Sequence, residues 1–245
     1  MTMKSIIVIP TYNEKENISK IIPAIISLGL GIDILVVDDN SPDGTSTIVK
    51  NLKIDKQGSK IFVLDRKKKD GLGRAYITGF TWALKNDYEV IIQMDADFSH
   101  NPKYLKTMLK EINNYDLIIG SRYTKGGGTK GWGLDRKIIS RGGSLYSKMI
   151  LWTKTNDLTG GFKCWKADTL KKINLQSVTS NGYSFQIEMN YRAELVKSRI
   201  KEIPIIFVDR NVGKSKMSKK IVLEALWRVW ALRFGKKPWL KNQEL

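Results

Sequence analysis

Apolar residues fall along this chain in two alternating patterns. Ile6–Ile9, Ile61–Leu64 and Leu117–Ile119 are short continuous apolar runs, and Ile32–Val37 and Val90–Met94 are apolar but for Asp33 and Gln93. Runs without a polar alternate are expected of strands covered on both faces, as in a parallel sheet between helical layers. Longer segments with apolar residues three and four apart lie between them. Asn17–Leu28 carries Ile18, Ile21, Ile22, Ile25 and Ile26 at helical spacing. Asp43-Gly44-Thr45-Ser46 supplies a turn and a helix start before Ile48–Leu52, and Gly73–Leu84 and Pro102–Ile112 complete the series. This alternation predicts an α/β fold with a mostly parallel central sheet flanked by helices. Sheets of that kind hold ligands beyond the carboxyl ends of their strands. Polar clusters follow Ile9, Val37, Leu64, Met94 and Ile119, at those ends.

The second half is less regular. Lys125–Gly131 is a glycine-rich basic loop, Lys137–Thr153 has helical spacing, and Ile203–Val208 is strand-like. From Lys219 onward Val222, Ala225, Leu226, Val229, Trp230 and Phe234 can share one helical face, while Lys220, Glu224 and Arg228 follow at i, i+4 on another. Lys236, Lys237, Trp239 and Lys241 come after it. Basic and aromatic residues around an amphipathic helix suit a membrane surface; a helix packed on the domain or on a partner is the alternative.

Composition narrows the class. The 245 residues suffice for one generous domain, and 42% hydrophobic against 27% charged residues excludes a mainly disordered chain. No apolar run approaches the ~20 residues of a membrane-spanning helix, and the N-terminal stretch lacks the pattern of a secretory signal, so a cytoplasmic protein is expected. One cysteine and one histidine exclude an internal disulfide and the usual His/Cys metal clusters, leaving oxygen ligands for any metal. The net charge of +18 implies a polyanionic partner: nucleic acid, a phosphorylated substrate or an anionic membrane. A nucleic-acid binder would gather aromatic and basic residues on one platform. Here aromatics are dispersed and acids occupy the strand ends, so no nucleic acid is expected.

The candidate chemistry sits at those ends. In an extended Asp95-Ala96-Asp97 the two carboxylates point to the same side, an arrangement suited to a hard cation such as Mg²⁺ or Mn²⁺. Asp38-Asp39 can accept hydrogen bonds from a base or a ribose, with Asp43 or Ser41 capping the next helix instead. Pro10-Thr11-Tyr12-Asn13-Glu14 places a ring and a carboxylate close together, able to stack a nucleobase and bond its edge, or simply to form a capped turn. Gly71-Leu72-Gly73-Arg74-Ala75 fits no phosphate-loop pattern and reads as a place of close loop approach. Arg122, Arg136 and Arg141 flank the glycine loop, and Arg210 and Lys216 follow Val208; guanidinium forks suit phosphate. His100 is expected to hydrogen-bond near the Asp95–Asp97 loop.

Taken in order, these motifs, with Asp65-Arg66, Asp95-Ala96-Asp97-Phe98-Ser99-His100-Asn101-Pro102, Gly120-Ser121-Arg122-Tyr123, Asp157-Leu158-Thr159-Gly160-Gly161-Phe162-Lys163, Gly182-Tyr183-Ser184-Phe185-Gln186-Ile187-Glu188 and Val208-Asp209-Arg210, resemble family 2 glycosyltransferases. More narrowly they are similar to the dolichyl/polyprenyl-phosphate mannosyltransferases. The resemblance implies a GT-A type, Rossmann-like catalytic domain over residues 1–218, followed by the amphipathic tail 219–245. It implies GDP-mannose as donor, held by Pro10, Tyr12, Glu14, Val37 and Asp39, with Asp95 and Asp97 on a Mg²⁺ or Mn²⁺ ion, Ala96 alongside, and Arg210 and Lys216 on the diphosphate. Arg122, with Arg136 and Ser140, would receive the phosphate of a dolichyl or polyprenyl lipid. Ser99 stands where some relatives carry Gln. The implied reaction is a single inverting displacement, performed peripherally at the cytoplasmic face of a membrane, with small membrane-anchoring subunits as further partners. A phosphate monoester has its second pKa near ~6, so the acceptor arrives as an anion and needs no strong base. Transfer of glucose or another sugar is the nearest rival.

Overall fold

The computed structural model describes residues 3–52, 58–209, 219–237 and 240. Its first half alternates β1 (Ser5–Thr11), α1 (Lys15–Ile26), β2 (Asp33–Asp38), α2 (Thr45–Asn51), β3 (Ile61–Asp65), α3 (Leu72–Lys85), β4 (Val90–Gln93), α4 (Leu105–Glu111) and β5 (Leu117–Ser121). There follow β6 (Gly128–Lys130), α5 (Leu134–Leu151), β7 (Lys163–Lys166), α6 (Ala167–Ile173), α7 (Gly182–Leu195), β8 (Ile200–Pro204), β9 (Ile206–Val208) and α8 (Lys219–Phe234).

The main sheet runs in the order β3-β2-β1-β4-β7-β5-β8, and β6 pairs with β9 in a separate ribbon. All pairings are parallel except those of β7 with β4 and β5. Because β7 opposes both neighbours, β5 points the same way as β4. The carboxyl ends of β1 to β5 therefore share one edge, as the polar clusters predict. Successive strand residues enter opposite layers. Ile7, Ile9, Ile34, Val36 and Ile92 pack with α1 and α4, while Ile6, Val8, Leu35, Val37 and Ile91 pack with α3 and α7. Helix α3 lies tight on the sheet because Gly79 has no Cβ; one there would come within 2.4 Å of Val8 Cγ1 and 3.0 Å of Val37 Cγ2.

Several features differ from the sequence reading. The basic loop at 125–131 contains β6, and Ile203–Val208 divides around Ile205 between two sheets. Strand β7 and helices α6 and α7 have no counterpart in the apolar pattern. In α7 every residue from Ser184 to Ala193 is buried, so no amphipathic period exists to be read. Helix α8 packs Val229 and Leu232 into a small core with Leu151, Leu158, Ile187 and Tyr191, while Trp230 and Phe234, expected on that face, are exposed. Arg228, expected on a charged outer row, instead turns inward to donate to Ser180 Oγ at 2.9 Å, with Glu188 3.9 Å away.

Candidate active site

The loops after β1 and β2 are tied into one rim. Buried Asp38 accepts hydrogen bonds from Thr11 Oγ1 at 2.7 Å and from the Ser41 amide and hydroxyl at 2.8 and 2.7 Å. Asn13 and Asn40 take left-handed backbone angles, φ 57° and 58°, which asparagine tolerates better than most side chains. The cap position of α2 is Gly44, at φ 83°, rather than Asp43 or Ser41; Asp43 accepts from the Thr45 amide and hydroxyl at 3.0 and 2.6 Å and from the Lys15 amide at 3.2 Å. Asp39 is thereby left to face Arg66 from the β3 loop, with which it forms an ion pair. Burial raises its carboxyl above the ordinary range, with Arg66 opposing. Tyr12 is half-buried, with Lys69 Nζ 3.7 Å from its ring centre, and Glu14 accepts from Asn17 Nδ2 at 2.7 Å. The rim brings together Pro10, Tyr12, Glu14 and Asp39. Val37, expected beside the donor, has its side chain fully buried in the sheet.

A second station follows β4. Asp95 Oδ1 accepts from the Tyr76 hydroxyl at 2.7 Å, and burial beside Asp95 keeps that phenol protonated. Asp97 Oδ1 accepts from the Ser99 amide at 3.1 Å and hydroxyl at 2.5 Å, so Ser99 orients a carboxylate. His100 Nδ1 accepts from the Asp95 amide at 3.0 Å, which puts the ring proton on Nε2. Burial lowers its pKa further despite both aspartates. His100 is accordingly a neutral brace, although Nδ1 lies 4.0 Å from Asp95 Oδ2. Among the described residues no third His, Cys, Asp or Glu joins the pair. Two braced carboxylates without nitrogen or sulfur partners fit a hard cation that fills its remaining positions with phosphate oxygens and water.

The third station is cationic. Arg122 is buried and clamped: Nε and Nη2 donate to the two Asp157 oxygens at 2.8 and 2.6 Å, and Nη2 also to Thr159 Oγ1 at 2.7 Å. Although burial opposes it, the guanidinium holds Asp157 below the ordinary carboxylate range. Aromatic rings enclose it, with Arg122 Cζ 5.0, 5.4 and 5.6 Å from the centres of Tyr123, Trp132 and Phe207. Arg136 stacks on the same Trp132 at 4.1 Å and donates to Asp209 Oδ1 at 2.7 Å. Ser140 Oγ accepts from the Tyr123 hydroxyl at 2.7 Å. The structure thus brings Arg122, Arg136 and Ser140 together. Arg136 Nε and Trp132 Nε1 are buried and take no hydrogen-bond partner among the described residues. The cage is rich in donors and suits an anion. His100 joins it to the acidic corner, its ring 5.7 Å from that of Phe207. Arg210 and Lys216 lie outside the described residues.

Sequence reasoning assigned no role to Asp157, Trp132 or Tyr76, whose partners lie 19 to 35 positions away or depend on ring packing. Gly71 and Gly73 act as expected: a Cβ at either would come within 2.6 Å of Asn181 Oδ1 or 2.8 Å of Ser180 O. Glu188 is buried and accepts from Arg192 Nε and Nη2 at 2.9 and 2.6 Å, which makes it a structural group.

Beneath the site Lys163 is fully buried, donating to Gln186 O and Oε1 at 3.2 and 2.8 Å. Burial lowers its pKa from 10.5 to about 7, with Asp157 opposing. Between those values the unfolded chain carries a proton that the folded one lacks, so this group makes folding stability rise with pH across that window. Below it both states are protonated and the slope vanishes. Lys163→Met should flatten the rise by up to about 1.4 kcal/mol per pH unit; urea midpoints from about pH 7 to about pH 9 measure it.

A model described as glycosyl transferase family 2 matches residues 6–173. The chain is 43% identical over 232 residues to an undecaprenyl-phosphate mannosyltransferase of Micrococcus luteus, covering 94% of this chain and 95% of that protein. It is 39% identical over 235 residues to a polyprenol monophosphomannose synthase of Mycolicibacterium smegmatis, covering 95% and 88%. The fold resembles that of glucosyl-3-phosphoglycerate synthase from Mycobacterium tuberculosis, solved with Mn²⁺, UDP and glucosyl-3-phosphoglycerate. There the TM-score is 0.67 at 14% identity, over 96% of this chain and 82% of that one.

Proposed function

The chain belongs to glycosyl transferase family 2 and has its GT-A fold, and from that premise we propose that it transfers mannose from GDP-mannose to the phosphate of a polyprenyl or dolichyl lipid, with inversion at the anomeric carbon. The observation that carries this reading is one edge holding a braced carboxylate pair beside an aromatic-walled pair of arginines. The carboxylate pair suits a cation-bound diphosphate, the arginine pair a separate phosphate, and the names of the two relatives support both mannose and a polyprenyl phosphate.

In this reading Tyr12 stacks the guanine, Glu14 and Asp39 bond the nucleoside, and Pro10 and the Val37 main chain complete the ledge. Asp95 and Asp97, with the Ala96 backbone alongside, would hold a Mg²⁺ or Mn²⁺ ion, whose chemistry when bound would be to neutralise charge on the diphosphate. Arg210 and Lys216 are assigned to the same diphosphate. Arg122 keeps one half of its fork on Asp157 and offers the other to the acceptor phosphate, with Arg136 and Ser140 beside it. The dianion attacks directly, and the enzyme supplies orientation and separation of like charges. The acceptor being a lipid, the enzyme works peripherally at the cytoplasmic face of a membrane, where anchoring subunits would act. Among the described residues no helix is long and apolar enough to cross one.

The test offers GDP-mannose or UDP-glucose with a polyprenyl phosphate, with Mg²⁺, Mn²⁺ or chelator. Mannosyl lipid formed from GDP-mannose only when metal is present is the expected result. Preferential transfer from UDP-glucose, the second reading suggested by the sequence, would overturn the donor assignment.

A further inference from the structure

Asparagine is among the residues best suited to cap a helix, and Asn181 stands at the cap position of α7. Its carboxamide nevertheless turns away from α7 and crosses to α3. There Oδ1 accepts from the Gly73 amide in the first turn at 3.1 Å, and Nδ2 donates to Asp70 O at 3.4 Å. The cap position of α3 itself is held by Gly71, at φ 89°, which has no side chain to offer. Asn181 thus supplies, from 108 positions away, the cap that α3 cannot make for itself. Arg74 of the same first turn donates to Val178 O at 3.3 Å, a second tie between α3 and the segment leading into α7.

That segment is fixed in turn by α8. Arg228 Nε donates to Ser180 Oγ at 2.9 Å and Nη2 to Thr179 Oγ1, while the Ser180 amide donates to Glu188 Oε2 at 3.1 Å. At the other end, α3 and the loop before it reach two stations of the candidate site. Tyr76 of α3 donates to Asp95 Oδ1 at 2.7 Å and stacks on Phe185 of α7, with ring centres 6.0 Å apart. The loop brings Arg66 to Asp39 and Lys69 to the ring of Tyr12. Burial raises the Asp39 carboxyl, and the Asp70 main chain joins Arg66 in opposing that rise. We propose that Asn181 is a positioning residue for the sugar-nucleotide donor, capping α3 from outside so that Tyr76 and the loop 66–70 keep their places, and that Arg228 sets Asn181. An α3 whose first turn is unpinned holds the rim in its binding geometry for only part of the time, and nucleotide affinity falls by that fraction. The role rests on the proposed function in one respect, that the rim Asn181 steadies is where the nucleotide binds.

Calorimetric titration of GDP and of UDP into the full chain with Mn²⁺ present, beside initial-rate kinetics, tests this. Asn181→Ala should raise the dissociation constant of the nucleotide by about 5–10-fold, the order of one lost cap, and raise the donor KM equally. The KM for lipid phosphate and kcat at saturating donor should not change. Asn181→Asp keeps the accepting oxygen and should restore most of the affinity. Arg228→Ala should show a smaller loss on the donor side, and combined with Asn181→Ala the two losses should fall short of their sum, because both act through one contact. Unaltered nucleotide affinity in Asn181→Ala, with or without a lower melting temperature, would overturn the proposal. So would a loss that Asn181→Asp leaves unrepaired, or additive losses with Arg228→Ala. Wild type that binds UDP and not GDP would remove the GDP-mannose reading instead, and the ratio of variant to wild type, now read with UDP, would decide the role of Asn181. Wild type that binds neither nucleotide would overturn both.

Discussion

Asp97→Asn should lower metal-dependent sugar transfer by about 10²–10³-fold and leave the melting temperature unchanged. The side-chain amide of this variant keeps an oxygen where Asp97 Oδ1 accepts from the Ser99 amide and hydroxyl, so the loop geometry survives. It loses the negative charge, and with Asp95 as the remaining carboxylate a divalent ion on a diphosphate is held more weakly. Calorimetric titration of Mn²⁺ into the GDP-bound protein should show the same loss as the rate, recovered in part at high metal. Normal turnover at limiting metal would remove the acidic corner from the mechanism.

Arg122 yields a prediction in two parts, because it braces the fold through Asp157 and is the residue proposed to meet the acceptor phosphate. Arg122→Ala strands Asp157, which is fully buried; removing one partner of such a pair destabilises by about 3–5 kcal/mol, so lost activity there is uninformative. Arg122→Lys keeps a cation near Asp157 but not the planar fork that reaches Asp157 and a phosphate together. Losing about 1.5–3 kcal/mol of charge-assisted hydrogen bonding should cut kcat/KM for the lipid phosphate by about 10–100-fold, with GDP affinity unchanged. A variant that loses GDP affinity while retaining its acceptor kinetics would move Arg122 to the donor side.

Much of the site was legible because its chemistry is local. Ser99 bonds to Asp97 and Thr45 to Asp43 over two residues. The extended geometry expected of Asp95-Ala96-Asp97 is not present, because β4 ends at Gln93 and the pair lies in the loop beyond it. Pairings across the sheet were not legible. Nothing at Asp157 announces the guanidinium 35 positions earlier, and the Trp132 cage exists because β9 and α5 converge on Arg122. Val37 was placed at the donor by motif, and its side chain is buried in the sheet.

The apolar runs alone determined that this chain would form a largely parallel sheet with its polar loops on one edge, since a run without a polar alternate must be covered on both faces. Helix α5 marks the limit. Its spacing predicts a helix equally well with either face inward, because periodicity defines a stripe and not a direction. Only packing decided that Ser144 and Ser147 meet the core while Leu134, Ile138, Leu145 and Met149 meet the outside. In the same way only packing turned Arg228 of α8 toward Ser180 and Glu188, because the inward face of a helix is chosen by the groups that wait for it on neighbouring elements.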